Sequence, residues 1–236
     1  MNHDNPASRL HAILAMGTTK PADQPCRNVW QEILGCSSVE SELFARLGKV
    51  MQLPAQAEQL VASHFPHHLA TLPQWRDPVQ AAFLHQNLSD RWLTFQQHIP
   101  QHSLSQLALT GEILHLKLGT QAIEREALES YKNHLLELRD EVQNSDLASI
   151  AKTYLVYELE ALCNALNEYA ITGGGPVLKQ VEAMFGHVVR DPEYRTFLAS
   201  HEVGRRVFDQ LTAMANVITV LVGLPQLTVG ITSLLK

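Results

Sequence analysis

The sequence predicts an all-α protein in which short N-terminal helices are followed by a multi-helix bundle and an apolar C-terminal segment. Apolar residues recur three and four positions apart through much of the second half, which is the spacing of one helix face. Between residues 103 and 208 the only prolines are Pro176 and Pro192, and each stands where a helix would begin. An alternating, β-like pattern is confined to the C-terminal segment. We therefore divide the chain into residues 1–101, 102–209 and 210–236.

The N-terminal region, residues 1–101, is rich in proline and tryptophan. Seven prolines precede Pro100, and all three tryptophans of the chain lie here. Because proline interrupts helices, we expect the helices of this region to be short. We expect them to pack around Trp30, Trp75 and Trp92.

Two helices joined by a short turn are predicted at the start of the bundle. Between residues 121 and 142 one apolar stripe consists of Leu128, Tyr131, Leu135, Leu138 and Val142. Capping side chains at residues 144–146 precede a second helix, whose stripe consists of Leu155, Leu159, Leu162, Leu166 and Tyr169. The glycines at residues 173–175 end that helix, so an αα-hairpin is expected.

Two further helices complete the predicted bundle. Pro176 begins a short helix, and the run Asp191-Pro192-Glu193 is a strong start signal for the last one. The apolar face of the short helix consists of Val177, Val181, Met184 and Val188. The apolar face of the last helix consists of Phe197, Gly204, Phe208, Leu211, Ala215, Ile218 and Val222, and it continues directly into the C-terminal segment.

The C-terminal segment is the most informative feature of the sequence, because residues 210–235 contain 26 positions without a charge. Such a segment must leave water, and a bilayer, the core of the same chain and another subunit are its three destinations. Its length permits a span, but Gly223 and Pro225 would break the helix after roughly 14 residues, which is too short to cross. Alternation on both sides of Pro225 also fits a small β-hairpin or a buried core segment.

Composition indicates a globular protein in a reducing compartment. Apolar residues make up 45% of the chain, and a formal net charge of −6 with 18 Lys and Arg argues against nucleic-acid binding. The three cysteines form no C-x-x-C pair, and the N-terminus lacks a secretory signal pattern. We therefore expect a cytoplasmic protein, peripheral or C-terminally anchored at the inner membrane if the segment meets lipid. Arg205 and Arg206 before the segment agree with that orientation.

Candidate chemistry is sparse, and the sequence predicts no catalytic residue, metal site or cofactor. His64, His67 and His68 cluster, but their spacing matches no zinc pattern. Glu112 and His115 have the spacing of a di-iron Glu-x-x-His element, which such bundles need twice and which occurs once here. These residues are the only candidates for the alternative hypothesis, an enzyme with a His/Glu metal-dependent site.

Two stretches resemble a scattered group of uncharacterised bacterial all-helical proteins. These are residues 30–35, WQEILG, and residues 43–54, LFARLGKVMQLP; residues 169–178 are similar in position and type. The resemblance implies a bacterial source and a helical fold, and it implies no activity or site residue. Members of such groups look like mobile-element or phage-defence accessory proteins, which implies an effector or sensor role.

The resulting hypothesis is a non-enzymatic bacterial protein that acts by partner binding or self-assembly, with anti-phage defence as its setting. Its C-terminal segment would mediate membrane association or homo-oligomer formation. The predicted contact residues are Phe208, Leu211, Ile218, Leu221, Val222 and Leu224. A structural accessory subunit, stable only beside a co-expressed neighbour, is a third interpretation.

Overall fold

A computed structural model of the chain describes residues 3–222 and shows helices throughout. Twelve α-helices and one 3-10 helix form within these residues, and no strand does. The predicted all-α class is therefore confirmed. Two compact units divide the chain, Met1–Thr120 and Gln121–Lys236. The division falls after the helix that begins at Gln101, whereas the sequence division placed a boundary at residue 101.

The first unit is built around three buried tryptophans. Its α-helices are α1 (Pro6–Thr18), α2 (Cys26–Leu34), α3 (Glu40–His64), α4 (Pro73–His85), α5 (Leu93–Gln96) and α6 (Gln101–Leu118), with a 3-10 helix over Pro66–Thr71. Trp30, Trp75 and Trp92 are almost fully buried. Each indole N–H has an acceptor: Gln86 Oε1 at 2.8 Å, Thr110 Oγ1 at 3.1 Å and the Gly17 carbonyl at 2.9 Å, respectively. The aromatic core therefore contains no unsatisfied indole.

The helices of the first unit are longer than the prolines suggested. Helix α3 has 25 residues and continues through Pro54, and α4 continues through Pro78. The expectation of short N-terminal helices is thus not confirmed. Proline removes one backbone donor from a helix, but Pro54 is buried, so packing of its ring in the core offsets part of that cost.

The second unit is a bundle with its own apolar core. Its helices are α7 (Arg125–Asn144), α8 (Ser149–Asn167), α9 (Tyr169–Thr172), α10 (Gly174–Arg190), α11 (Pro192–Ser200) and α12 (Glu202–Val222). Helices α7 and α8 pack against each other, and α12 packs against α7, α10 and α11. Gly173 separates α9 from α10 at φ 72° and ψ −169°, a conformation that favours glycine.

The last predicted helix is two helices in the structure. His201 has an extended backbone, and α12 begins after it. The His201 ring accepts a hydrogen bond at Nδ1 from the Val203 N–H at 3.3 Å, as a capping residue does. Where α12 returns across α11, a Cβ on Gly204 would lie 2.0 Å from the Phe197 carbonyl oxygen. The close crossing therefore requires glycine at this position.

Candidate functional site

Most of the described contact residues predicted in the C-terminal segment lie against the core of the second unit. Leu211 is 0% exposed and Ile218 is 1% exposed. Phe208 and Leu221 are half-buried and pack against the same core. The side chain of Val222 and the whole of Leu224 lie outside the described residues. A contact role for Leu211 or Ile218 would therefore require α12 to leave its place in the unit.

Within residues 3–222, none of the helices combines the length and the apolar character needed to cross a membrane. Of the predicted segment, residues 210–236, the structure describes residues 210–222, which form the second part of α12.

Glu112 and His115 lie together on α6 and are joined by a third residue that the sequence analysis missed. His3 donates from Nε2 to the Glu112 carboxylate, at 3.1 Å from each oxygen. The His3 ring stacks on His115 at a centroid distance of 3.7 Å, and His115 Nδ1 donates to the Thr120 carbonyl at 2.8 Å. Because stacked rings direct their nitrogens sideways, the two imidazoles do not converge on a common point. The cluster holds residues near the N-terminus against α6.

The histidine cluster at residues 64–68 lies at the end of α3 and in the 3-10 helix. His67 and His68 have ring centroids 4.5 Å apart and inclined by 46°. Across the part of the chain that the structure describes, no three His, Cys, Asp or Glu side chains are grouped so that they could hold a metal ion. The geometry thus gives the metal-dependent enzyme hypothesis no assembled ligand set.

The strongest candidate site is an apolar face on α8 that points away from the core. Ile150 is 86% exposed and Tyr157, seven residues later, is 67% exposed. Together with Ser149, Thr153 and Tyr154 they line a shallow groove of about 520 Å³, which we call the tyrosine groove. Residues seven apart on a helix lie on one side of it, so this groove follows the helix axis.

A second groove begins where the first one ends along the chain. It has a volume of about 560 Å³, and we call it the loop groove. Its lining includes Asp146, Leu147, Pro192, Glu193, Phe197 and His201, from the α7–α8 connection, α11 and the residue before α12. Ala148 lines this groove and the next residue, Ser149, lines the tyrosine groove. The two grooves are thus lined by adjoining stretches of the chain at the start of α8, and we call the two together the α8 surface.

The floor of the tyrosine groove rests on a packed aromatic cluster. Tyr154 stacks on the His187 ring at 3.8 Å and meets the buried Tyr194 ring edge to face at 5.7 Å. Burial, followed by the negative charges of Glu158 and Asp191, raises the pKa of Tyr154 to about 12. Tyr154 is therefore a neutral, fixed ring at neutral pH and not an acid–base group.

Asp191 fixes the end of α10 and the start of α11 beside this cluster. Its Oδ1 accepts from the backbone N–H groups of Glu193 and Tyr194 at 2.9 and 3.1 Å. Its Oδ2 lies 3.4 Å from His187 Nε2. The backbone hydrogen bonds and His187 hold the pKa of the Asp191 carboxyl below its usual value. Asp191 thus fixes the start of α11, whose Pro192 and Glu193 line the loop groove.

The sequence analysis missed Ile150 and Tyr157 because it followed a single apolar stripe on this helix. The stripe from Leu155 to Tyr169 faces the core, and a second stripe of Ile150, Tyr154 and Tyr157 has the same helical spacing. A helix with two apolar stripes exceeds what one core contact requires. The second apolar stripe on this helix could have been recognised in the sequence as a candidate contact face.

Comparisons of this chain with models of protein families, with curated proteins and with solved structures found no match. The resemblance to uncharacterised bacterial helical proteins therefore stays a prediction.

Proposed function

We propose that this chain is a non-enzymatic binding protein and that its second unit recognises a partner through the two grooves at the start of α8. The observation that carries the proposal is the exposure of Ile150 and Tyr157, at 86% and 67%, on the helix face that lines the tyrosine groove. Apolar side chains grouped in this way are typical of contact surfaces, and tyrosine is enriched at the centres of interfaces.

Exposure alone would not single out this face. Leu116 on α6 is 83% exposed, and single exposed leucines are ordinary on protein surfaces. Ile150 differs because it lines the tyrosine groove, of about 520 Å³, and is two residues from Ala148, which lines the loop groove of about 560 Å³. Leu116 therefore provides a matched control for any change at Ile150.

The shape of the surface favours a macromolecular partner over a small substrate. Small-molecule sites enclose most of their ligand within a cleft. Both grooves are shallow, and burial moves the pKa of the Tyr154 hydroxyl further above neutral pH. A role as a binding surface accounts for these features without an unrecognised catalytic group.

The contact role predicted for residues 210–236 remains a separate proposal. Leu211 and Ile218 are covered by their own unit, so that role would fall on Val222, Leu224 and the residues after them. Self-assembly, membrane association and a place in anti-phage defence are parts of the same proposal. Fractionation of cells that make the chain with and without residues 223–236 tests the membrane part.

Site-specific photo-crosslinking tests the α8 surface. A photo-reactive phenylalanine at position 157 should capture one defined partner in cells that make the protein, whereas the same group at position 116 should not. The captured protein, once purified, should bind the parent chain and the Leu116→Asp variant equally. It should lose at least tenfold in affinity for the Ile150→Asp variant, since a charge would then face the apolar centre. Equal binding by both variants would refute the proposal.

A further inference from the structure

The rim of the α8 surface carries charge of one sign. Among the residues that line the two grooves, Asp146 and Glu193 are acidic, and none is Lys or Arg. The Asp146 side chain is 90% exposed, and Glu193 is exposed as well. Charges on the rim of an interface select partners of opposite charge and accelerate their encounter.

Two side chains that can carry positive charge, Lys152 and His201, lie beside the grooves and are held by contacts within the second unit. Lys152 Nζ donates to the Ser145 carbonyl at 2.5 Å, at the end of α7. His201 accepts the Val203 N–H at Nδ1, and its Nε2 lies 3.3 Å from Asp146 Oδ1.

The floor of the tyrosine groove lies in a negative field as well. Glu158 and Asp191 act on Tyr154, and their negative charges add to burial in raising the pKa of its hydroxyl. The whole second unit has the same bias, with 10 Lys and Arg against 15 Asp and Glu in residues 121–236. The charge at the rim of the grooves, around the floor of the tyrosine groove and over the whole second unit therefore has the same negative sign.

We infer that the occupant of the α8 surface is a segment of a partner protein that presents apolar side chains flanked by Lys or Arg. The inference rests on the proposed function and adds the chemistry of the partner. A second copy of this chain that paired this surface with itself would offer the acidic rim no Lys or Arg from the groove lining. An anionic lipid surface is also negatively charged and would be repelled by the acidic rim.

A pair of designed peptides tests the inference on the full chain. The basic peptide is an amphipathic helix of leucine and lysine about 14 residues long, and the acidic peptide has glutamate in place of lysine. Each carries a fluorophore, and binding is followed by anisotropy at low and high salt. The charge variant is Asp146→Asn with Glu193→Gln. The matched control is Glu126→Gln with Glu182→Gln, which removes two exposed charges of the same unit away from the grooves.

The basic peptide should bind and the acidic one should not. The charge variant should weaken binding roughly threefold to tenfold, and the control pair should change it by less than about twofold. Ile150→Asp should abolish binding, while Leu116→Asp should not.

Each contrary result has a separate meaning. If the charge variant and the matched control lost the same affinity for the basic peptide, or if the two peptides bound equally well, the inferred partner chemistry would be wrong. The proposed surface would still stand. Full binding by Ile150→Asp would overturn the surface itself. A dimer of the free protein that Ile150→Asp converts to a monomer would overturn the inference in favour of a second copy.

Discussion

Replacing Leu211 with alanine should destabilise the second unit by about 3 kcal/mol. Leu211 lies in the middle of α12 and is 0% exposed within the apolar core. Removal of a buried leucine side chain costs roughly 2–5 kcal/mol, because the lost burial is joined by the cost of a cavity. Val220 is the matched position, since it lies on the same helix and is 62% exposed. Val220→Ala should change stability by less than about 0.5 kcal/mol.

Urea denaturation followed by circular dichroism measures both changes. With a slope of about 2 kcal/mol per molar urea, a loss of about 3 kcal/mol lowers the midpoint by about 1.5 M. Dichroism at 222 nm follows the helices of both units. Tryptophan fluorescence follows the first unit separately, because Trp30, Trp75 and Trp92 all lie there.

The result that would refute the reasoning is a Leu211→Ala variant as stable as Val220→Ala. Helix α12 would then not be docked on its own unit in solution, and the contact role predicted from the sequence for Leu211 and Ile218 would regain its physical basis.

Three further predictions concern packing, thiol reactivity and acid stability. Gly204→Ala should destabilise the second unit by roughly 1–3 kcal/mol, because its Cβ would lie 2.0 Å from the Phe197 carbonyl oxygen. Gly186→Ala is the control: this position faces open space within α10, so alanine should stabilise the helix by about 0.5–1 kcal/mol. The same urea assay measures both changes. Burial raises the pKa of the Cys26 thiol to about 11. A thiol reagent at pH 8 should therefore modify Cys26 only when the first unit unfolds. Fast labelling of Cys26 in the folded chain would contradict its burial. Backbone hydrogen bonds are the main cause that lowers the pKa of the Asp191 carboxyl. The carboxylate therefore stabilises the fold at pH values above its usual pKa of 3.8, and this stabilisation is lost as the pH falls below that value. Asp191→Asn should flatten that part of the stability profile, and an unchanged acid slope would argue against the cap.

The apolar spacing predicted the helical bundle of the second unit well. Leu155, Leu159 and Leu162 were placed on one stripe of α8 from their spacing, and all three are buried. The same holds for Val177 and Val181 on α10. Spacing succeeds here because each of these helices has one face against a single core, so periodicity reports burial directly.

Elements that depend on local exceptions were not predictable in this way. Proline signalled an interruption at Pro54, but α3 continues because the ring is buried in the core. The break at His201 depends on a hydrogen bond from the Val203 N–H to a histidine ring, which no capping pattern anticipates. Capping side chains were expected before α8, yet Ala148 occupies the cap position without a side-chain bond. At Pro54 packing in the core outweighed the local preference, and at His201 the contact is a local one that apolar spacing does not report.

The candidate site lay in a different place from the one that the sequence emphasised, and the energetics of α12 explain why. A partner that used Leu211, Met214 and Ile218 would first have to expose them, and each buried side chain of this size contributes about 1.5–3 kcal/mol. The sum, roughly 5–9 kcal/mol, is comparable with the whole stability of a domain of this size. Such a partner would have to unfold the unit in order to bind it. Ile150 and Tyr157 are already exposed, so a partner that covers them gains apolar burial without that cost. A protein that binds through its second unit would therefore use α8 before α12.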